Sequence, residues 1–177
     1  SEKPVYILIK DDSVQIKDAE TLWGKPTTNV NQILKQEHSD SRLSVMSIGQ
    51  GGENLVSYAC IQVDERSFGR GGAGAVMASK NLKAIAVKGT EKVKLANEAA
   101  LKEHMTANMK KLKESRAGHN KYGTAQYTEV INTLGCYPTN NFQTAVFENA
   151  ESVYATTMVE KYKKKNAACY RCPIACA

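Results

Sequence analysis

No stretch of this 177-residue chain approaches the roughly 18–20 consecutive apolar residues that a membrane-spanning helix requires. A mean hydropathy of −0.43 agrees, so an integral membrane protein is set aside. The best early apolar run, Pro4 to Ile9, is too short for a span and too short for a signal-peptide core. Cysteine is scarce: Cys60, Cys136, Cys169, Cys172 and Cys176. An odd count with no secretory signal argues against a disulfide framework and for a reducing compartment, with the cytoplasm as the expected location. The three histidines, His38, His104 and His119, lack the spacing of zinc ligands. No Gly-Lys-Ser/Thr closes a Walker A loop, and there is no internal repeat or low-complexity tract.

What is present is an ordinary globular composition, 42% hydrophobic and 24% charged. The length suits one domain, or one domain and part of another, burying roughly 70% of the surface an unfolded chain exposes. The net charge of +6 is a mild excess that fits anionic ligands or an acidic partner without demanding nucleic acid. The chain opens on Ser1 with a strand-like run almost at once and stops one residue after a cysteine cluster. A piece of a longer or processed chain is therefore expected.

The patterning predicts an α+β fold: a mixed sheet with short helices, then a mostly helical segment. Strands are expected at Val5–Lys10 and around Val14 and Ile16, joined by a tight turn at Asp11-Asp12. A helix capped by Thr27 or Thr28 should run to about Glu37, with Val30, Ile33 and Leu34 on one face. Leu43–Ile48, Leu55–Val63 and Leu82–Val87 read as further strands. Residues 49–54 and 64–74 read as loops, and Ala75 to about Lys80 as a short helix. Beyond Val93 the texture changes. Leu101, Met105, Met109 and Leu112 recur at helical steps within Asn97–Arg116, a break spans Ala117–Gly123, and Thr124–Leu134 and Thr157–Lys165 read as helices. This divides the chain into residues 1–95 and 96–177. Cys60, in an apolar alternating run, reads as a small buried core residue; Cys136 lies in a loop and has no assigned role.

Two segments carry chemistry. Cys169, Cys172 and Cys176 have a C-x2-C-x3-C spacing, which lets one tight turn present three thiolates to an iron–sulfur cluster whose fourth ligand comes from elsewhere. Zinc is the rival, although it favours paired C-x2-C motifs or added histidines; three unligated thiols are the bland reading. Lys161, Lys163, Lys164 and Lys165 precede this segment and Arg171 lies inside it. Cations there would raise a cluster's potential, although the lysines equally suit a solvated basic face. The second segment runs from Glu65 to Asn81. Its glycines allow close approach of backbone to a ligand. Arg66 and Arg70 supply forked donors for phosphate oxygens, and the helix that follows adds a positive dipole end. An anionic cofactor is the chemistry suggested. Gly69-x-Gly71-x-x-Gly74 also matches a dinucleotide fingerprint, with Glu91 about twenty residues on. Two features weigh against it: a polar loop separates the preceding strand from the glycines, and the helix is short for a crossover.

The run Gly69 to Ala84 resembles the pterin-loop signature of the tungsten-containing aldehyde ferredoxin oxidoreductases. Ile48–Val56, Leu134–Phe142 and the terminal cysteine cluster fit the same family in order, so the resemblance covers essentially the whole chain. It implies tungsten, or molybdenum in some relatives, held between two pterin dithiolenes beside a [4Fe–4S] cluster. It implies a pterin-binding domain built from two sheets, followed by helical domains. Arg66, Ser67, Gly69 and Arg70 would correspond to the pterin-contacting segment, with the Ser67 carbonyl facing the Mg2+ that bridges the pterin phosphates. Cys169, Cys172 and Cys176 would be three cluster ligands. The implied reaction turns an aldehyde and water into a carboxylate and passes electrons through the cluster to ferredoxin or another electron-transfer protein. Neither nucleic acid nor a membrane is implied as a partner, and a homo-oligomer is compatible with the resemblance. Ser67 and Phe68 stand where small apolar residues are usual, and the first part of the pterin domain and the fourth cysteine would lie outside these residues. Three alternatives remain at this point: a relative that reduces an activated aromatic thioester, a zinc-binding module with a Gly-rich anion loop, and a nicotinamide-dependent enzyme.

Overall fold

The computed structural model describes residues 1–64 and 66–176; Glu65 and Ala177, each within a segment quoted above, lie outside the described residues. The chain forms two compact units, Ser1–Val93 and Lys94–Ala177. The architecture is the α+β class expected, a mixed sheet followed by helices.

The first unit is built on six strands: β1 Val5–Lys10, β2 Ser13–Asp18, β3 Ser44–Ser47, β4 Ile61–Val63, β5 Arg66–Phe68 and β6 Leu82–Lys88. Their order is β2-β1-β6-β3-β4-β5. The β1–β2 hairpin turns at Asp11, whose φ of +48° suits a tight two-residue turn. β6 runs parallel to β1 and antiparallel to β3, which makes the sheet mixed. Helix α1, Thr27–Glu37, buries Val30 and Leu34 against Tyr6, Leu8, Val45, Ala84 and Ala86. The small Ala84 and Ala86 of β6 lie in register with the large Tyr6 and Leu8 of β1, an alternation of sizes that suits close packing. Pro26 rather than Thr27 or Thr28 occupies the helix N-cap, with no side-chain cap, and Thr27 is the first helical residue.

Two departures from the sequence pattern lie in the middle of this unit. Residues 50–53 form one helical turn, α2 Gln50–Glu53, and the strand expected from Leu55 begins only at Ile61. The alternation across Leu55–Cys60 is deceptive, because this stretch is a turn whose backbone lies against Gly72 and Gly74, with Leu55, Ser57, Tyr58 and Cys60 exposed and Val56 and Ala59 half-buried. Cys60 is accordingly exposed, not a core residue. The second departure is β5, a three-residue edge strand in which Arg66, Ser67 and Phe68 are all exposed. With no buried face it leaves no alternating pattern to read. Helix α3, Ala73–Ala78, starts two residues before the expected position and buries Met77 and Ala78 with Ile48, Trp23, Ile61, Leu82 and Ile85.

The second unit is helical: α4 Glu98–Ser115, α5 Ala117–Tyr122, α6 Thr128–Thr133 and α7 Ala155–Lys161, with 3-10 turns at Gly123–Tyr127 and Ala150–Val153. The Asn97 side chain accepts from Ala100 N at 2.9 Å and caps α4. The break expected at Ala117–Gly123 is a helix ending at Gly123, and the expected Thr124–Leu134 helix is 3-10 over its first turn. Asn132 pins the following loop, donating to Phe147 O at 3.1 Å and accepting from Phe147 N at 2.8 Å. No described residue of α4 is buried. No described helix is long and apolar enough to cross a membrane.

Candidate functional site

The arginine–glycine segment begins at the tip of the β4–β5 hairpin. Asp64, at φ +48°, accepts at one carboxylate oxygen from Asn31 Nδ2 at 2.8 Å and from Lys35 Nζ at 3.4 Å, while its carbonyl accepts from Gln62 Nε2 at 2.9 Å. These bonds pin the tip to α1. Val63 pairs with Arg66 at the near end of the hairpin and Ser67 lies opposite Gln62. In such hairpins the flanking pair exchanges both backbone bonds, so the next pair does not. Ser67 therefore turns its N–H and carbonyl to the free edge of the sheet. Arg66, Ser67, Phe68, Gly69 and Arg70 are all exposed. Among the described residues neither guanidinium is in an ion pair.

The glycines that follow fall into two kinds. A Cβ at Gly69 or Gly71 would meet nothing within 4 Å, and Gly71 holds φ at +86°. This half of the loop is open. A Cβ at Gly72 would lie 2.1 Å from Ser57 O, and one at Gly74 would lie 2.5 Å from Cys60 O and 2.9 Å from Ala59 O. The Gly74 N–H donates to Ala59 O at 2.9 Å. These two glycines are packing contacts. The bond from Gly74 occupies the second amide of α3, a helix of only six residues. The dinucleotide reading fails on topology: β5 and β6, on either side of α3, are separated in the sheet by β3 and β4 and form no parallel pair.

Beneath this loop is a polar cluster with no counterpart in the sequence reading. Lys83 is wholly buried; its Nζ donates to Lys25 O at 2.9 Å, to Ile48 O at 2.8 Å and to the Glu53 carboxylate. The Glu53 oxygens also accept from Gly24 N at 3.0 and 2.9 Å, and Gln50 Nε2 donates to Gly24 O at 2.7 Å. All three ammonium protons are matched, which is the condition for burying a lysine at tolerable cost. The sequence signal was present: Lys83 shares a strand face with Ile85, a position at which an unpaired charge would not survive.

In the second unit, Cys172 N donates to Cys169 O at 2.9 Å and closes a turn. Arg171 and Ala175 sit at φ +52° and +50°. Cys169 and Cys176 are exposed, Cys172 is half-buried, and all three thiols are unpaired. Among the described residues no three His, Cys, Asp or Glu side chains gather into a metal-holding group. A mononuclear zinc site needs donors converging on one point about 2.3 Å away, whereas a cubane spreads its ligands, one thiolate to each iron. Cys169 and Cys172 share one turn and Cys176 follows four residues on, so one short segment offers three thiols, a donor set that suits a cluster. Met105, Met109 and Lys113 of α4 line a groove of about 500 Å3 with Arg171, Cys172 and Pro173. The Arg171 guanidinium stacks 5.4 Å over the Tyr170 ring. Lys163 is half-buried, and its Nζ donates to Asn120 O at 2.9 Å and Lys121 O at 2.6 Å, at the end of α5. Asn120, which carried no sequence signal, donates from Nδ2 to Ile174 O at 2.7 Å.

Comparison with known proteins gives matches along the chain. Residues 1–89 match the family model described as aldehyde ferredoxin oxidoreductase, N-terminal domain, and residues 100–177 the one described as aldehyde ferredoxin oxidoreductase, domains 2 and 3. The tungsten-containing aldehyde ferredoxin oxidoreductase of Thermococcus kodakarensis is 47% identical over 99% of this chain and that of Pyrococcus furiosus 43%. The chain spans 30% of the length of each. The solved active-site complex BamBC of benzoyl coenzyme A reductase, in complex with 1,5-dienoyl-CoA, superposes with a TM-score of 0.75 at 27% identity, covering 99% of this chain and 29% of that one.

Proposed function

The chain belongs to the aldehyde ferredoxin oxidoreductase family, and on that premise we propose that it is part of a cytoplasmic tungsten enzyme that oxidises aldehydes to carboxylates. Residues 1–95 form part of the sheet-rich pterin-binding domain and residues 96–177 the start of the helical domain. Bound in the full-length protein, the tungstopterin supplies the two-electron redox centre and the [4Fe–4S] cluster the one-electron exit. Aldehyde and water give carboxylate, two electrons and three protons, the electrons leaving to ferredoxin.

The residues of this chain hold and orient. Arg66 and Arg70 would hold pterin phosphate oxygens through their forked guanidinium donors. Gly69 and Gly71 would let those phosphates approach the backbone, and Ser67 would offer its edge-facing carbonyl to Mg2+. Cys169, Cys172 and Cys176 supply three thiolates to the cluster. The observation that carries this reading is the open Gly69–Gly71 turn, which holds exposed Arg70 just after exposed Arg66 on edge strand β5, with nothing within 4 Å of a Cβ at either glycine. The greater identity to the tungsten aldehyde enzymes than to the benzoyl coenzyme A reductase complex favours aldehyde oxidation over thioester reduction.

Anaerobic purification of the full-length protein followed by metal analysis tests the reading. Tungsten, or molybdenum, with iron is expected; finding neither tungsten nor molybdenum would sink it.

A further inference from the structure

We propose that Asn120 is a positioning residue for the iron–sulfur centre, fixing the turn that carries Cys172 and Cys176. The inference rests on reading Cys169, Cys172 and Cys176 as cluster ligands.

Carbonyls in the last turn of a helix have no intrahelical partner. Here the Asn120 carbonyl accepts from Lys163 Nζ at 2.9 Å and Asn166 Nδ2 at 2.8 Å, and Lys163 also takes the Lys121 carbonyl at 2.6 Å. The segment after α7 thus locks the Asn120 backbone. From that fixed base the side chain donates to Ile174 O at 2.7 Å, between the second and third cysteines. The next residue, Ala175, holds φ at +50°. A side-chain-bearing residue keeps that conformation only where its surroundings impose it, and the bond to the preceding carbonyl is such a constraint. Gly123, three residues after Asn120 at φ +61°, lies against the same turn: a Cβ there would stand 2.9 Å from Cys176 O. One short stretch, residues 120–123, therefore meets backbone carbonyls at both 174 and 176. If the Ile174–Ala175 peptide were free to rotate, the Cys176 thiolate would swing with it. Groups that orient metal ligands in this way typically govern affinity by about 10–100-fold.

The test compares full-length wild type with Asn120→Asp, Lys163→Met, Lys163→Arg, Lys165→Ala and Cys172→Ala, all purified anaerobically. Iron per polypeptide, the rate of iron loss to a chelator and the electron paramagnetic resonance spectrum of the reduced cluster are read. Asn120→Asp sets a carboxylate oxygen against Ile174 O. It and Lys163→Met are expected to lose iron roughly 10-fold faster or more, with shifted g values and unchanged tungsten. Lys163→Arg, which keeps donors, should recover most of the wild-type behaviour, and Lys165→Ala should match wild type. Wild-type iron loss and spectrum in both Asn120→Asp and Lys163→Met would overturn the proposal, as would equal loss in Lys165→Ala. If Asn120→Asp does not accumulate, Lys163→Met decides. Failure of both to accumulate beside a well-folded Lys163→Arg would mark a general folding role and count against it. Iron that survives Cys172→Ala would remove the cluster reading itself. Iron that depends on Cys172 but ignores Asn120 would remove only the positioning role.

Discussion

Lys83 places its ammonium against the carboxylate of Glu53, with the lysine side chain fully buried and the glutamate only 5% exposed. The pair joins β6 to α2 and, through Gly24 and Lys25, to the bend before α1. The polypeptide under the arginine–glycine loop is thereby held at three points by one charge cluster.

Removing one partner is worse than never having had the pair, because the other charge stays buried. Lys83→Met should destabilise the protein by about 3–5 kcal/mol, read as a lowered denaturant midpoint. A midpoint within error of wild type would show that Glu53 is free to reach solvent.

The two kinds of glycine predict opposite outcomes. Gly74→Ala should destabilise by about 1–3 kcal/mol, because its Cβ would press on the Cys60 and Ala59 carbonyls. Gly69→Ala should leave the melting temperature near wild type, since nothing lies within 4 Å, yet lower the pterin and tungsten retained. Thermal unfolding and metal analysis on both variants check the contrast; a stable Gly74→Ala would refute the packing role.

Arg70→Lys should weaken pterin retention, because an ammonium cannot make the forked phosphate contact. Tungsten per polypeptide after gel filtration is the readout, and unchanged content would count against Arg70 as a clamp.

His38 packs beside the buried Tyr6 hydroxyl, 3.0 Å from its Nε2, and that hydroxyl also bonds Glu37 Oε1 at 2.9 Å. Burial lowers the His38 pKa below its ordinary value of 6.5; Glu37 opposes this, while Lys10 and Lys17 reinforce it. Below 6.5 the unfolded chain takes up a proton that folded His38 resists. Its contribution is thus complete above pH 6.5 and lost as pH falls through the lowered folded value. His38→Gln should flatten the melting temperature against pH across that window. An unchanged slope would place the dependence on other groups.

Cys172→Ala should lose cluster iron while tungsten stays, measured on the same anaerobic preparation. Iron at wild-type level would remove Cys172 from the ligand set.

Much of the fold was legible where periodicity was strong. β1, β6, α1 and α4 lie within a residue or two of their expected limits, because each has a repeated apolar face or a long, regular pattern. β5 was not legible, since an exposed three-residue edge strand buries nothing. Leu55–Cys60 misled because its apolar alternation belongs to a turn packed through backbone, not side chains. The arginines, glycines and cysteines of the candidate sites stood out by residue type and spacing. Asn120 did not, and Lys163 stood out only as one of four lysines, since both meet carbonyls that come together only after folding, 54 and 43 positions apart in sequence.

The seating of Gly72 and Gly74 on the 57–60 backbone leaves the preceding residues structurally unencumbered. Side chains at 67 and 68 project from the sheet's rim, so bulk or polarity can drift there without disturbing the core. That freedom accommodates the serine and phenylalanine found at these positions. Evolution could retune what the rim touches while the foundation beneath it stays constant.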